Sequence, residues 1–189
     1  MLYNFSLCSG KPISDRFLKL GLPDFFSAAT YIRELAYQRN THKNNAVVVL
    51  DEQGGTCSTK HALLKLLADE NEQPAVKLMM GIYRMNAINT KPAKQVLEKY
   101  QLDYIPEAHN YLRVGNEIID ATKTGFSINH FMGDLLVEEE ITPAQIGGEK
   151  VERHQAYLRQ WLLVNGHIPY QLPQLWEIRE ECIVALSRP

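Results

Sequence analysis

The chain has 189 residues, 45% of them hydrophobic and 22% charged, with a formal net charge of -2 at pH 7. That length fits one domain with room for a sizeable core, and the composition argues against disorder. The near-neutral charge gives no electrostatic basis for binding nucleic acid or an anionic membrane surface, and no run approaches the ~18 apolar residues of a spanning helix.

Taken in chain order, MLYNFSLCSGKPISD has neither the basic start nor the apolar stretch of a signal peptide. LPDFFSAATYIRELAYQR predicts a helix, with Phe26, Ala29, Ile32, Leu35 and Ala36 as its apolar stripe. Val47 to Val49 form a short β-branched run before a loop that ends in paired glycines. A helix from about Thr56 to Asp69 follows, with Thr56 as N-cap and Ala62, Leu63, Leu66 and Leu67 as core stripe. AVKLMMGIYRM (75–85) predicts a strand interrupted at Gly81, and KPAKQVLEKYQ (91–101) a helix with Pro92 in its first turn. AHNYLRVGNEIIDAT reads as two extended runs around a Gly115-Asn116 hairpin turn. Beyond Gly125 the pattern is irregular, VEEEIT (137–142) reads as a solvated face, and two helices are expected at 148–166 and 173–186. The order of elements favours α+β. The expected organisation is a single domain, 1–189, with a core at about 46–125 and a helical extension at about 148–186.

The stretch EQGGTCSTKHALLKLL (52–67) places Cys57 in the first turn of a helix. There the dipole and the backbone N–H groups favour an anion, and thiol pKa values fall. A nucleophilic cysteine needs a base and a group that orients the base. A two-residue turn at Gly115 and Asn116 sets Val114 opposite Glu117, Tyr111 opposite Asp120 and Asn110 opposite Ala121. His109 and Tyr111 then share a face with Asp120, which puts His109 and Asp120 on a diagonal at roughly 7 Å between backbones. A four-residue loop keeps that register; a three-residue loop turns Asp120 to the other face.

GTCSTKHALL, HNYLRV and IIDAT together resemble the transglutaminase-like superfamily of papain-related thiol enzymes, in a compact, bacterial-type form. The resemblance covers about residues 46 to 125. It implies a nucleophile helix packed on an antiparallel sheet, a transglutaminase-like or papain-like core, with extra C-terminal helices. It also implies Cys57 as nucleophile, His109 as general base and acid, and Asp120 as orienting carboxylate. The sequence departs from the family where Ser58, not an aromatic residue, follows the cysteine. Trp161 and Trp176 both lie after the triad, so no upstream tryptophan can stabilise an oxyanion. The Cys57 backbone N–H is one candidate donor, and Gln53, four residues upstream, is another.

Each residue also has a plainer reading. Cys57 could be a small buried hydrophobe, His109 a strand histidine bonded to a carbonyl, and Asp120 a turn cap. His61, one helical turn after Cys57, is the competing base but has no carboxylate nearby in sequence. Cys8, Cys57 and Cys182 are odd in number and far apart, which excludes a disulfide framework and fits a reducing cytoplasm. His42, His130, His154 and His167 form no metal-binding spacing, and no Walker or dinucleotide glycine pattern occurs, so no metal or cofactor is expected.

The leading expectation is a thiol enzyme, a peptidase, amidase or acyl transferase, acting on a peptide, protein or small amide through a thioester. Neither nucleic acid nor membrane is an expected partner, and the oligomeric state is left open. An inactive relative serving as a binding or scaffolding module is the alternative. Coenzyme A-dependent arylamine acetyl transfer, which uses the same triad on a usually longer chain, is a third.

Overall fold

The computed structural model describes residues 3–125 and 131–186. These form two compact units, one of residues up to 80 with 109–125 and 139–147, the other of 81–108, 131–138 and 148–186.

In the first unit, helix α1 (Pro12–Lys19) begins with proline in its first turn but has no local side-chain cap. Its cap comes from Glu70, whose carboxylate accepts from the Ile13 and Ser14 N–H groups at 3.0 and 2.9 Å. Helix α2 (Phe25–Glu34) opens on Asp24, which accepts from the Ser27 N–H at 2.8 Å. Its buried face is Phe25, Ala28, Ala29 and Ile32. The predicted stripe is therefore shifted: Phe26 is 48% exposed, and Leu35 and Ala36 lie past the helix end. Strand β1 (Ala36–Tyr37) then pairs in parallel with β2 (Gly54–Gly55).

Between them the β-branched run is helical, as α3 (Val48–Asp51). Val48, Val49 and Leu50 are all buried there, and the Asn45 side chain accepts from the Val47 N–H at 3.1 Å. Burial in a helical turn overrides the strand propensity of the valines. Helix α4 (Cys57–Glu70) begins one residue after Thr56, as the sequence indicates. Leu64, not Leu66, belongs to its buried set, and Leu63, Leu64 and Leu67 are fully enclosed. Each such leucine contributes roughly 1.5–3 kcal/mol relative to exposure. Helices α1, α2 and α3 and the turn Pro143–Ile146 all pack on α4.

The main sheet holds β3 (Lys77–Asn86), β4 (Tyr104–Val114), β5 (Glu117–Ile119) and β6 (Leu135–Ile141), in the order β5-β4-β3-β6. Mixed helix and sheet, with an antiparallel pair at β4–β5, make the fold α+β. β3 runs through Gly81 without a break. β6 is a strand where the sequence reads as irregular, because its edge position leaves Val137, Glu138 and Glu140 exposed and hides the alternation. Val114 lies opposite Glu117, Arg113 opposite Ile118 and Leu112 opposite Ile119, which is the register of a two-residue turn at Gly115-Asn116.

In the second unit, Lys91–Ala93 form a 3-10 turn that leads into α5 (Lys94–Lys99), so the expected single helix is split. Helix α6 (Gly148–Val164) buries His154, Leu158 and Trp161 at i, i+4 and i+7. Helix α7 (Leu172–Leu186) buries Leu175, Ile178, Cys182 and Ile183, so its amphipathic face is core packing. Glu107 of β4 and Arg179 of α7 form a buried two-pronged pair, with 2.7 Å between Oε2 and Nε. No helix among the described residues is long and apolar enough to cross a membrane.

The paired glycines have separate duties. A Cβ on Gly55 would lie 2.7 Å from Thr59 Oγ1 and 2.9 Å from Val49 Cγ2, whereas one on Gly54 meets only the flexible Gln38 side chain. Gly55→Ala should therefore destabilise the protein by about 1–3 kcal/mol, and Gly54→Ala by clearly less, in urea-unfolding midpoints.

Candidate active site

The helix start that carries Cys57 is built by polar side chains. Thr59 Oγ1 accepts from the Thr56 N–H at 3.1 Å and donates to Asn40 Oδ1 at 2.7 Å. Asn40 is buried and donates in turn to the Gly54 carbonyl at 2.8 Å. A side chain at Gly55 would fill this space, which accounts for the glycine next to Thr56. Ser58 donates to Asn110 Oδ1 at 3.0 Å, and Asn110 Nδ2 donates to the Met79 carbonyl at 2.9 Å. The small polar residue after Cys57 thus anchors the first turn to β4. As in any α-helix, the first N–H groups have no acceptor within the helix, so the thiol sits at the positive end of the dipole.

β4 presents His109 to this turn. His109 Nε2 lies 2.9 Å from Asp120 Oδ2, and His109 shares a side-chain hydrogen bond with Cys57. Tyr111, on the same face of the strand, stacks on the imidazole at 6.1 Å between ring centres. All three groups are buried, Cys57 to 7% exposure. Burial opposes a charge on His109, but Asp120 and Cys57 outweigh it and hold the imidazolium form well above its usual range. Burial also works against the Asp120 carboxylate, yet His109, then His61 and the Thr122 hydrogen bond, hold its pKa well below the ordinary value.

Asp120 stands one residue past the end of β5, in a segment gripped from several sides. The Thr122 N–H donates to Asp120 Oδ1 at 2.9 Å. The Ala121 N–H donates to His61 Nε2 at 2.7 Å, and Lys60 Nζ donates to the carbonyls of Thr122 at 2.8 Å and Leu35 at 2.6 Å. Lys60 is passed over when the sequence is read for chemistry, and His61 is weighed only as a competing base. Their signal is present but faint: a lysine and a histidine adjacent on the helix that begins at Cys57.

His61 does have the carboxylate neighbour that the sequence did not reveal, with Asp120 Oδ1 at 3.6 Å from Nε2. That approach is too long for a hydrogen bond. Nε2 accepts from Ala121, so the ring proton sits on Nδ1 and is donated to the Cys57 carbonyl at 2.7 Å. Burial, the largest effect, pushes the His61 pKa down to about 4 and keeps the ring neutral. Gln53 is tied into its own loop, donating to the Leu50 carbonyl at 2.6 Å and accepting from the Tyr31 hydroxyl at 2.9 Å. Trp161 and Tyr104 both belong to the second unit, where the Trp161 N–H donates to the Tyr104 hydroxyl at 2.9 Å.

Among the described residues no group of three His, Cys, Asp or Glu side chains could hold a metal, and His130 lies outside those residues. No protein-family model matches the chain, and comparisons with curated proteins and with solved structures give no match either.

The neutral His61 has a consequence for stability. Between pH ~6.5 and about 4 the unfolded chain protonates this histidine while the folded protein does not. The unfolded state then binds more protons, so stability falls as pH falls through that window. His61→Gln should remove up to ~1.4 kcal/mol per pH unit from this slope, read from urea unfolding at pH 7, 6 and 5.

Proposed function

We propose that the chain is a thiol enzyme acting on amide or acyl bonds, built on a transglutaminase-like or papain-like core. The observation that carries this reading is the buried relay in which His109 Nε2 lies 2.9 Å from Asp120 Oδ2 and the same imidazole is hydrogen-bonded to Cys57. Cys57 is the nucleophile, its thiolate favoured by the helix N-terminus and the neighbouring imidazolium. Attack by Sγ on the substrate carbonyl carbon forms a tetrahedral intermediate, for whose oxygen the Cys57 N–H is the donor this reading assigns. The imidazolium of His109 then protonates the departing amine as the C–N bond breaks, leaving a thioester. Neutral His109 takes a proton from water or from an acceptor amine, which attacks the thioester and restores the thiol. Asp120 keeps the ring in the tautomer and orientation these transfers need, and balances its positive charge.

The second reading, an inactive binding module on the same core, draws on the 7% exposure of Cys57. Iodoacetamide separates the two. The Cys182 thiol, pushed up to about 12 by burial, is a slow internal reference, and exposed Cys8 a fast-access one. At pH 6.5 an unperturbed thiol is only roughly 1% ionised. Cys57 should alkylate faster than both cysteines at that pH, and His109→Ala should slow it by up to ~100-fold. Asp120→Asn should slow it less, because an amide can still hold the ring but cannot balance its charge. A Cys57 that reacts no faster than Cys8, or that is indifferent to His109→Ala, assigns the chain to the binding-module reading.

A further inference from the structure

We propose that His61 is a positioning residue whose imidazole ties the turn bearing Cys57 to the backbone beside Asp120, and so sets that carboxylate against His109. The inference rests on the triad reading above and adds a residue to it.

The need arises from where β5 stops. Its paired residues are Glu117, Ile118 and Ile119, so the strand ladder fixes the backbone only up to the residue before Asp120. Past that point other bonds must hold the chain. The Asp120 side chain uses one oxygen on His109 and one on the Thr122 N–H, which shapes the local turn but anchors nothing outside it. Lys60 holds the far end of the segment by the Thr122 carbonyl. His61 holds its middle by the Ala121 N–H, and with its other nitrogen it reaches the Cys57 carbonyl. One rigid five-membered ring therefore spans from the residue of the nucleophile to the residue after the carboxylate. The ring stands edge-on to His109, 6.2 Å between centres, which leaves His109 its own partners.

The same geometry removes His61 from the role of base. Both its nitrogens are engaged by backbone groups, and its one N–H, on Nδ1, is turned to the Cys57 carbonyl and not to the carboxylate.

Asparagine and glutamine separate the two ends of the ring. The asparagine amide reaches the place of Nδ1 and keeps the bond to the Cys57 carbonyl; the glutamine amide reaches the place of Nε2 and keeps an acceptor for Ala121. Neither can act as a base. In the full chain, His61→Asn should slow Cys57 alkylation at pH 6.5 by about 10–100-fold, since a misplacement near 1 Å costs up to ~100-fold. It should also move the titration of His109, followed by NMR, down toward that of an ordinary histidine. His61→Gln, which keeps the Ala121 bond beside Asp120 but loses the one to Cys57, should lower both measurements clearly less than His61→Asn. Equal behaviour of the two variants, or a loss confined to His61→Gln, overturns the proposal. The two readouts also separate this inference from the one beneath it. If Cys57 is not specially reactive even in the unaltered protein, the enzyme reading fails, while the His109 titration still decides whether His61 positions Asp120.

Discussion

Helix α4 is enclosed by its neighbours, and its polar residues go inside with it. Thr59, Lys60 and His61 follow one another and are all buried. A buried polar group without a partner costs roughly 1–3 kcal/mol, and a buried charge more, so each of these side chains must find a partner on another segment. Thr59 takes Asn40, Lys60 takes the carbonyls of Leu35 and Thr122, and His61 takes the Ala121 N–H. Those contacts fix the loop after α2, the approach to β2 and the chain beyond β5. The helix that carries Cys57 is thus also the framework on which the rest of the candidate site is hung.

This arrangement explains what can and cannot be read in the sequence. The start of α4 at Cys57 and the hairpin register are local: a cap residue, a glycine turn and alternation over a few residues specify them. The diagonal between His109 and Asp120 follows from that register, and the 2.9 Å contact is its outcome. The remainder depends on distant partners. α1 has no cap in its own sequence because Glu70, more than 50 residues later, supplies it. α3 is helical against the propensity of its valines because all three of its apolar residues are buried. β6 is an edge strand with three consecutive glutamates, and such a strand carries no clean alternation. The His61 contacts span 60 residues to Ala121, so a search for carboxylates nearby in sequence could not find Asp120.

The two units handle buried charge differently. In the second, Glu107 and Arg179 neutralise each other directly with parallel hydrogen bonds, and His154 donates to the Pro106 carbonyl beside them. That arrangement fixes β4 against α7, and removing one partner would strand the other. In the first, the Lys60 ammonium is bonded to carbonyl oxygens rather than to a carboxylate, and the Asp120 carboxylate is turned to His109. A direct Lys60–Asp120 pair would satisfy both charges and leave the imidazole without its orienting partner.

The charges of the first unit therefore have to be counted together. In the proposed mechanism one imidazolium between a carboxylate and a thiolate carries a net negative charge, which a buried site tolerates poorly. Lys60 supplies the missing positive charge at a distance, held by the backbone at the end of the Asp120–Thr122 segment. Burial lowers its pKa to about 8, and the attraction of Asp120 and Cys57 opposes that fall, so it remains charged at neutral pH. With Lys60 charged, the site is neutral overall when the proton of Cys57 resides on His109. Moving that proton back and forth then redistributes charge over a short distance without changing the total, so the surroundings need not reorganise at each transfer. A fully buried lysine near the start of α4 thus fits the proposed chemistry, which depends on one mobile proton.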